Sequence, residues 1–314
     1  MKTLLSSALL LVLACAALPV PAAAQSVSPD DLAGRLRVVD LDHELVQDLA
    51  RRHDLSALEL LAANWGLELF EPQTRTGVVM PTANLLPDAA REGIVVNRAE
   101  YRLYYFKEGR LVLTAPIAIG EESHETPLGT ATVLRKKAGP TWFPTASTRS
   151  DFPDLPDAVP PGPNNPLGSH ALYLDWPTYL IHGAIDEYAI GRRLTRGCVR
   201  LYEEDITRLF EVVPVGTPVT IIDQPVKLGW HEQELFLEAY PDFEQLEELR
   251  TSFSFTAKPP EHLEARITAM AGERAKDVDW GAVQAILQRR SGMPVQITAP
   301  RTHPVNITDP GVGF

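Results

Sequence analysis

Between Pro140 and Pro166 the chain carries 8 prolines in 27 residues, and that run constrains everything around it. Proline fixes its own φ, has no N–H to donate and restricts the residue before it, so this density is incompatible with ladder positions in a sheet. The stretch is also too long for an ordinary turn. It reads as an Ω-like excursion of the kind used as a binding loop or lid, or as an ordered crossing of the surface. Trp142 and Phe143 ride on it. They either stack on a ligand or pin the loop to the core, and the stabilisation gained by burying a large aromatic ring favours pinning.

On both sides of this excursion the pattern is that of strands. Tyr101, Leu103 and Tyr105 alternate with Arg102, Tyr104 and Phe106, Lys107 to Arg110 makes a glycine-containing turn, and Leu111 to Ile119 runs back, which predicts a β-hairpin. Further strands are predicted at Thr130 to Leu134, Ala171 to Leu174, Tyr179 to His182 and Pro218 to Ile222. One helix is clear. Glu203, Glu204 and Asp205 occupy its first turn, where the macrodipole favours acids; Ile206, Leu209, Phe210 and Val213 form its apolar stripe, and Pro214 and Gly216 end it. The predicted fold class is mainly β with flanking helices.

Three further segments flank this region. Residues 1–24 carry Lys2 as the only charge, then an apolar run from Leu4 to Ala17 and Ala22-Ala23-Ala24 before Gln25, the pattern of a cleaved export signal. Val12 to Cys15 also resembles a lipoprotein cleavage box, a poorer fit that would tether the chain through Cys15. Residues 36–82 read as a small β-α-α-β unit: Val38-Val39 opens it, Leu45 to Arg52 is amphipathic, Ser56 and Glu59 form a capping box, the second helix ends near Asn64 and Gly66, and Gly77 to Met80 closes it. A linker from Pro81 to Pro87 then makes this unit an autonomous one, expected to be dispensable for chemistry. Residues 93–223 hold the strands, and residues 224–314 read as a short α/β extension with a strand at Glu234 to Tyr240 and a helix at Leu263 to Ala271. A last helix is capped by Asp279, turns Trp280, Val283, Ile286 and Leu287 inward, and is closed by Arg289, Arg290 and Gly292. No later segment approaches transmembrane length. A net charge of −12 with no basic run argues against nucleic acid as a partner.

The chemistry concentrates between Tyr179 and Leu201. Cys198 is one of only two cysteines, and the other, Cys15, lies in the removable segment. An exported chain with one thiol cannot form an internal disulfide, so Cys198 reads as reactive. A free thiol has a pKa of about 8.5 and is only slightly ionised at neutral pH, whereas an adjacent imidazole can take its proton and leave a thiolate–imidazolium pair; His182 is the upstream candidate. Gly197 leaves room for a substrate carbonyl and frees its own N–H and that of Cys198 to serve as oxyanion donors. Arg196 and Arg200 either hold a substrate carboxylate or form structural ion pairs. His170 either borders the groove or is a plain strand histidine, the simpler reading. The other histidines form no ligand-spaced pairs and there is no C-x-x-C, so neither a metal site nor a cofactor is expected.

His182-Gly183 followed by Thr195-Arg196-Gly197-Cys198-Val199-Arg200 resembles the signature of the L,D-transpeptidase (YkuD-like) family. The likeness extends to Pro127-Leu128-Gly129-Thr130, to Asn165-Pro166-Leu167-Gly168 and to Val213 through Val219, and with Pro225-Val226-Lys227 it is nearest the periplasmic ErfK/YbiS type. The unit at 36–82 is similar to a LysM glycan-binding domain, on Asn64 and the terminal strand before Pro81. The resemblance implies a β-sandwich catalytic domain at 93–223 and a periplasmic enzyme acting on peptidoglycan stem peptides. It further implies Cys198 as nucleophile, His182 as base, Gly183 and Gly197 as parts of the catalytic wall, and Thr195, Arg196 and Arg200 as substrate-binding residues. Donor chemistry would be attack on the L-to-D bond of a tetrapeptide with release of D-Ala, and the acceptor an amine of a second stem peptide or of an outer-membrane lipoprotein. The competing class is a non-catalytic wall-binding protein in which Cys198 is inert. A papain-like hydrolase is disfavoured because there the cysteine precedes the histidine.

Overall fold

The computed structural model describes residues 30–241, 245, 248 and 259–299; the segment read as an export signal lies outside them. Strands β1 (Leu32–Gly34), β2 (Arg37–Glu44), β3 (Gln73–Met80) and β4 (Ala83–Leu85) and helices α1 (Val46–Arg52) and α2 (Ala57–Ala63) make up the first region. β2 and β3 pair antiparallel, as do β1 and β4. The capping box forms as expected: the Glu59 N–H donates to Ser56 Oγ (3.2 Å) and the Ser56 N–H to Glu59 Oε2 (2.6 Å). Asn64 ends α2 and ties it to β3, its side chain exchanging two 2.7 Å hydrogen bonds with the Val79 backbone. Leu41, Val46, Leu49, Leu55, Leu60, Val78 and Met80 form the small core of this unit.

The central region is one hydrogen-bonded sheet of eight strands. These are β5 (Gly93–Asn97), β6 (Arg102–Lys107), β7 (Arg110–Pro116), β9 (Gly129–Ala138), β10 (His170–Leu174), β11 (Leu180–Gly183), β13 (Val199–Leu201) and β14 (Pro218–Ile222), in the order β13-β11-β10-β9-β14-β5-β6-β7. Two short strands outside it, β8 (Ile119–Gly120) and β12 (Arg193–Thr195), pair with each other. The expected hairpin is β6–β7, turning at Glu108 and Gly109, whose φ values of 52° and 75° give the left-handed pair that matches strand twist. The two layers of the sandwich are continuous through β9. Its first residues, 129–132, pair with β14, and its last, 133–138, pair with β10, with a register shift at Tyr173/Leu174 where it passes between them. Ile94, Val96 and Leu103 from one side and Leu172, Ile181 and Leu201 from the other meet in a single core. Helix α4 (Glu203–Val212) closes it with Ile206 and Leu209, the stripe its sequence predicts.

Within the proline-rich excursion a short helix, α3 (Ala146–Asp151), forms between the prolines, its N-terminus capped by Thr145. Trp142 is half-buried and paired through its backbone with Val159, but Phe143 is 66% exposed, so the expected pinning fails for Phe143. The C-terminal region is a three-stranded antiparallel sheet of β15 (Val226–His231), β16 (Glu234–Ala239) and β17 (Val295–Gln296), covered by α5 (Leu263–Ala271) and α6 (Trp280–Arg289). Asp279 caps α6 as expected, and Val283, Ile286 and Leu287 face inward; Trp280 is 40% exposed and does not.

The N-terminal unit does not hang on a loose tether. The segment from Ala83 to Leu85 is a fully buried strand, the Trp230 N–H donates to Asp31 (2.8 Å) and the Asp31 N–H to the Trp230 carbonyl (2.8 Å). On the other side, buried Arg102 of β6 donates to Glu59 Oε1 (2.5 and 3.1 Å) and to the Asp54 carbonyl (3.1 Å), and the Tyr202 hydroxyl donates to the Leu55 carbonyl (3.2 Å). These contacts tie the N-terminal unit to both neighbouring regions.

Candidate active site

Cys198 lies on the connection between β12 and β13. β13 runs parallel to β11, with Val199 opposite Ile181 and Arg200 opposite His182, and this register brings the His-Gly and Thr-x-Gly-Cys elements side by side. Gly197 has φ +96°, and a Cβ there would come within 2.6 Å of the Tyr179 ring, so both backbone and neighbour demand glycine. Gly183 is required for a different reason: a Cβ would meet the Glu203 carboxylate at 2.1 Å. That carboxylate reaches back from the first turn of α4 and accepts the Ser169 N–H at 3.1 Å.

His182 is 2% exposed. Its Nδ1–H donates to the Gly183 carbonyl at 2.7 Å, which fixes the ring. Burial first, and then the Arg200 charge, push its pKa down to about 3, against the pull of the Gly183 and Leu167 carbonyls. The half-buried Cys198 thiol donates to the Thr178 carbonyl at 3.5 Å. Burial pushes its pKa up, while the Leu180 N–H and Arg200 pull it back. Both shifts favour uncharged partners, and among the described residues no hydrogen bond joins ring to thiol. Desolvation thus works against both the imidazolium and the thiolate.

The two arginines separate. Arg196 Nη2 donates to His124 Nε2 (2.8 Å), Ser147 Oγ (2.7 Å) and Asp151 Oδ2 (2.6 Å), so it fastens α3 beside the cysteine rather than facing a ligand. The Arg200 guanidinium, in contrast, makes no hydrogen bond or ion pair among the described residues, and its Nε is buried without a partner. A buried donor left unpaired is costly, and such a group on a site wall is a place for an anion. Thr195, 1% exposed, spends its hydroxyl on the loop: it donates to the Cys198 carbonyl (2.6 Å) and accepts the Gly197 N–H (3.2 Å). Of the two oxyanion donors expected, the Gly197 N–H is thus occupied and only that of Cys198 has no partner among the described residues.

Other participants escaped the sequence reading. Thr126 is buried and donates to the Gly197 carbonyl at 2.9 Å; the adjoining Pro127-Leu128-Gly129 pointed to this segment but not to that hydroxyl. Glu203 and Thr178 also carried no signal beyond helix and turn propensity. His170 opens β10 and packs on the Phe210 ring of α4 at 4.6 Å between centroids.

Residues 91–221 match the family of the L,D-transpeptidase catalytic domain, YkuD. Over 263 residues the chain is 41% identical to a Salmonella typhimurium protein named "Probable L,D-transpeptidase ErfK/SrfK", covering 82% of this chain and 83% of that one. It is 36% identical over 307 residues to the Escherichia coli "Probable L,D-transpeptidase YbiS", covering 95% and 98% of the two chains. The Escherichia coli "Probable L,D-transpeptidase YcfS" is 35% identical over 309 residues, covering 93% and 94%.

Proposed function

Because the chain belongs to the L,D-transpeptidase family, an acyl-transfer family of the cell wall that acts on peptidoglycan peptides, we propose that it works through Cys198 as nucleophile with His182 as its base. The observation that carries this reading is the unpaired Arg200 guanidinium beside a half-buried thiol and a buried imidazole. An anionic donor entering the site satisfies the guanidinium. The same cation then favours the thiolate that must form. The Cys198 proton passes to His182, Sγ bonds to the carbonyl carbon of the L-to-D bond, and the carbonyl electron pair moves onto oxygen. As that pair returns, the C–N bond breaks, and His182 delivers its proton to the departing D-Ala amine, leaving a thioester on Cys198. An acceptor amine repeats these steps in reverse, losing a proton to His182 and restoring the thiol.

A stem-peptide amine or the lysine of an outer-membrane lipoprotein fits this second half equally, and a periplasmic location fits either acceptor. Among the described residues no helix is long and apolar enough to cross a membrane. The test is mass spectrometry of the protein and its products with a purified tetrapeptide stem and with a carbapenem. Wild type should release D-Ala and gain the mass of the drug on Cys198, while Cys198→Ala should do neither. D-Ala release by Cys198→Ala at the wild-type rate would end this mechanism.

A further inference from the structure

Resting on the reading of Cys198 as nucleophile, we infer that Thr126 is a positioning residue that aims the Cys198 N–H at the oxyanion. Thr126 is 1% exposed and sits between β8 and β9. Its hydroxyl accepts the Gly120 N–H at 2.9 Å and donates to the Gly197 carbonyl at 2.9 Å, and its own carbonyl is held by Arg98 Nη1 at 2.6 Å. The hydroxyl is thereby locked between two backbone groups. In a trans peptide the carbonyl and the following N–H point in opposite directions, and no cis bond occurs among the described residues. Drawing the Gly197 oxygen inward onto Thr126 therefore turns the Cys198 N–H outward, beside the thiol, where it has no protein partner. Thr195 fixes the next plane by donating to the Cys198 carbonyl. Two threonines from distant parts of the chain thus hold the peptide groups on both sides of Cys198.

When Sγ bonds to the substrate carbon and the π pair moves to oxygen, this N–H is the backbone donor that meets the new charge. It releases the oxygen when the pair returns and the C–N bond breaks. Donors of this kind act only in so far as they are held in place before reaction. Thr126 touches no reacting atom and acts only through the plane of the 197–198 peptide.

The test compares two reactions of the same thiol. Alkylation by iodoacetamide displaces iodide at a tetrahedral carbon and develops no oxyanion, whereas acylation by a stem tetrapeptide or a carbapenem does. Thr126→Val, which keeps the shape and loses the hydroxyl, should slow acylation by about 10- to 100-fold, less than the roughly 10²- to 10³-fold for losing such a donor outright. The loss should fall on kcat with KM nearly unchanged, and alkylation should stay near the wild-type rate. Thr126→Ser should restore acylation. If Thr126→Val does not fold, Thr126→Ala is measured in its place. An equal loss in both reactions, or acylation at the wild-type rate by the hydroxyl-free variant, overturns the inference. A wild type that alkylates at Cys198 but never acylates there removes the parent reading instead, and this one with it.

Discussion

At the scale of single residues, the opposite shifts of His182 and Cys198 have consequences for pH. With the His182 pKa pushed down to about 3, the imidazole stays neutral throughout pH 5–8, so its own titration leaves no step near 6.5, the ordinary histidine value. With the thiol raised, the thiolate fraction and the alkylation rate should climb with pH through a midpoint above that of free cysteine. A pH profile of iodoacetamide trapping on the unliganded protein checks both statements, and a plateau reached by pH 7 would contradict them. Arg200 makes a second case. Arg200→Gln should raise KM for a donor bearing a free carboxylate and leave one with an amidated carboxylate little changed, because only the first uses a charge-assisted pair. Equal loss on both donors would count against a carboxylate clamp.

At the scale of elements, α3 is held against the cysteine loop by Arg196 through Ser147 and Asp151. The Arg196–Asp151 pair is partly exposed, so its contribution to global stability is small, about 1 kcal/mol or less. Asp151→Asn should therefore hardly change Tm, yet it should speed proteolytic cutting within residues 140–166, since local opening answers to local contacts. A protease time course reads this directly, and unchanged cutting would mean that other contacts hold the excursion. Much of this level was legible in the chain: the hairpin at Glu108-Gly109, the Ser56–Glu59 cap, the stripe of α4, and the spacing of His182 from Cys198 all depend on neighbours in sequence. What stayed hidden depends on distant ones. Nothing local to Thr126 says that Gly197 lies beneath its hydroxyl, nor does a first-turn Glu203 disclose that it fills the notch left by Gly183. The prolines around α3 concealed a helix of six residues that needed only its own Thr145 cap.

At the scale of the whole molecule, the three regions are joined by buried charge. Arg102, 2% exposed, meets Glu59 of the N-terminal unit. Removing one partner of such a pair leaves the other buried and uncompensated, so Glu59→Gln should cost ~3 kcal/mol and lower Tm markedly; a shift within a degree would show the interface to be dispensable. At the opposite junction Lys227 Nζ donates to Glu100 (2.5 Å) and to the Leu85 carbonyl (2.6 Å), with Glu238 at 3.4 Å and bonded to Tyr240. Burial, opposed by Lys227 and reinforced by Glu100, pushes Glu238 up to about 7. A carboxyl whose folded pKa is raised favours the fold fully below its unfolded pKa of 4.5 and loses that contribution as pH rises toward 7. Glu238→Gln should accordingly raise Tm relative to wild type at pH 8 and progressively less toward pH 5, which a series of thermal melts would decide.

The pairing of β5 with β14 is parallel, with Ile94 alongside Val219, and most of the central region separates the two strands. A chain emerging from the ribosome therefore exposes β5 and the first half of β9 as unpaired edges until Pro218–Ile222 has been made and has inserted between them. Assembly of the layers is of high contact order and must be slow compared with the hairpin beside it. Until that last strand arrives, the nascent protein offers two unpaired edges to any passing strand. Its survival during synthesis thus depends on a segment that takes no part in the chemistry.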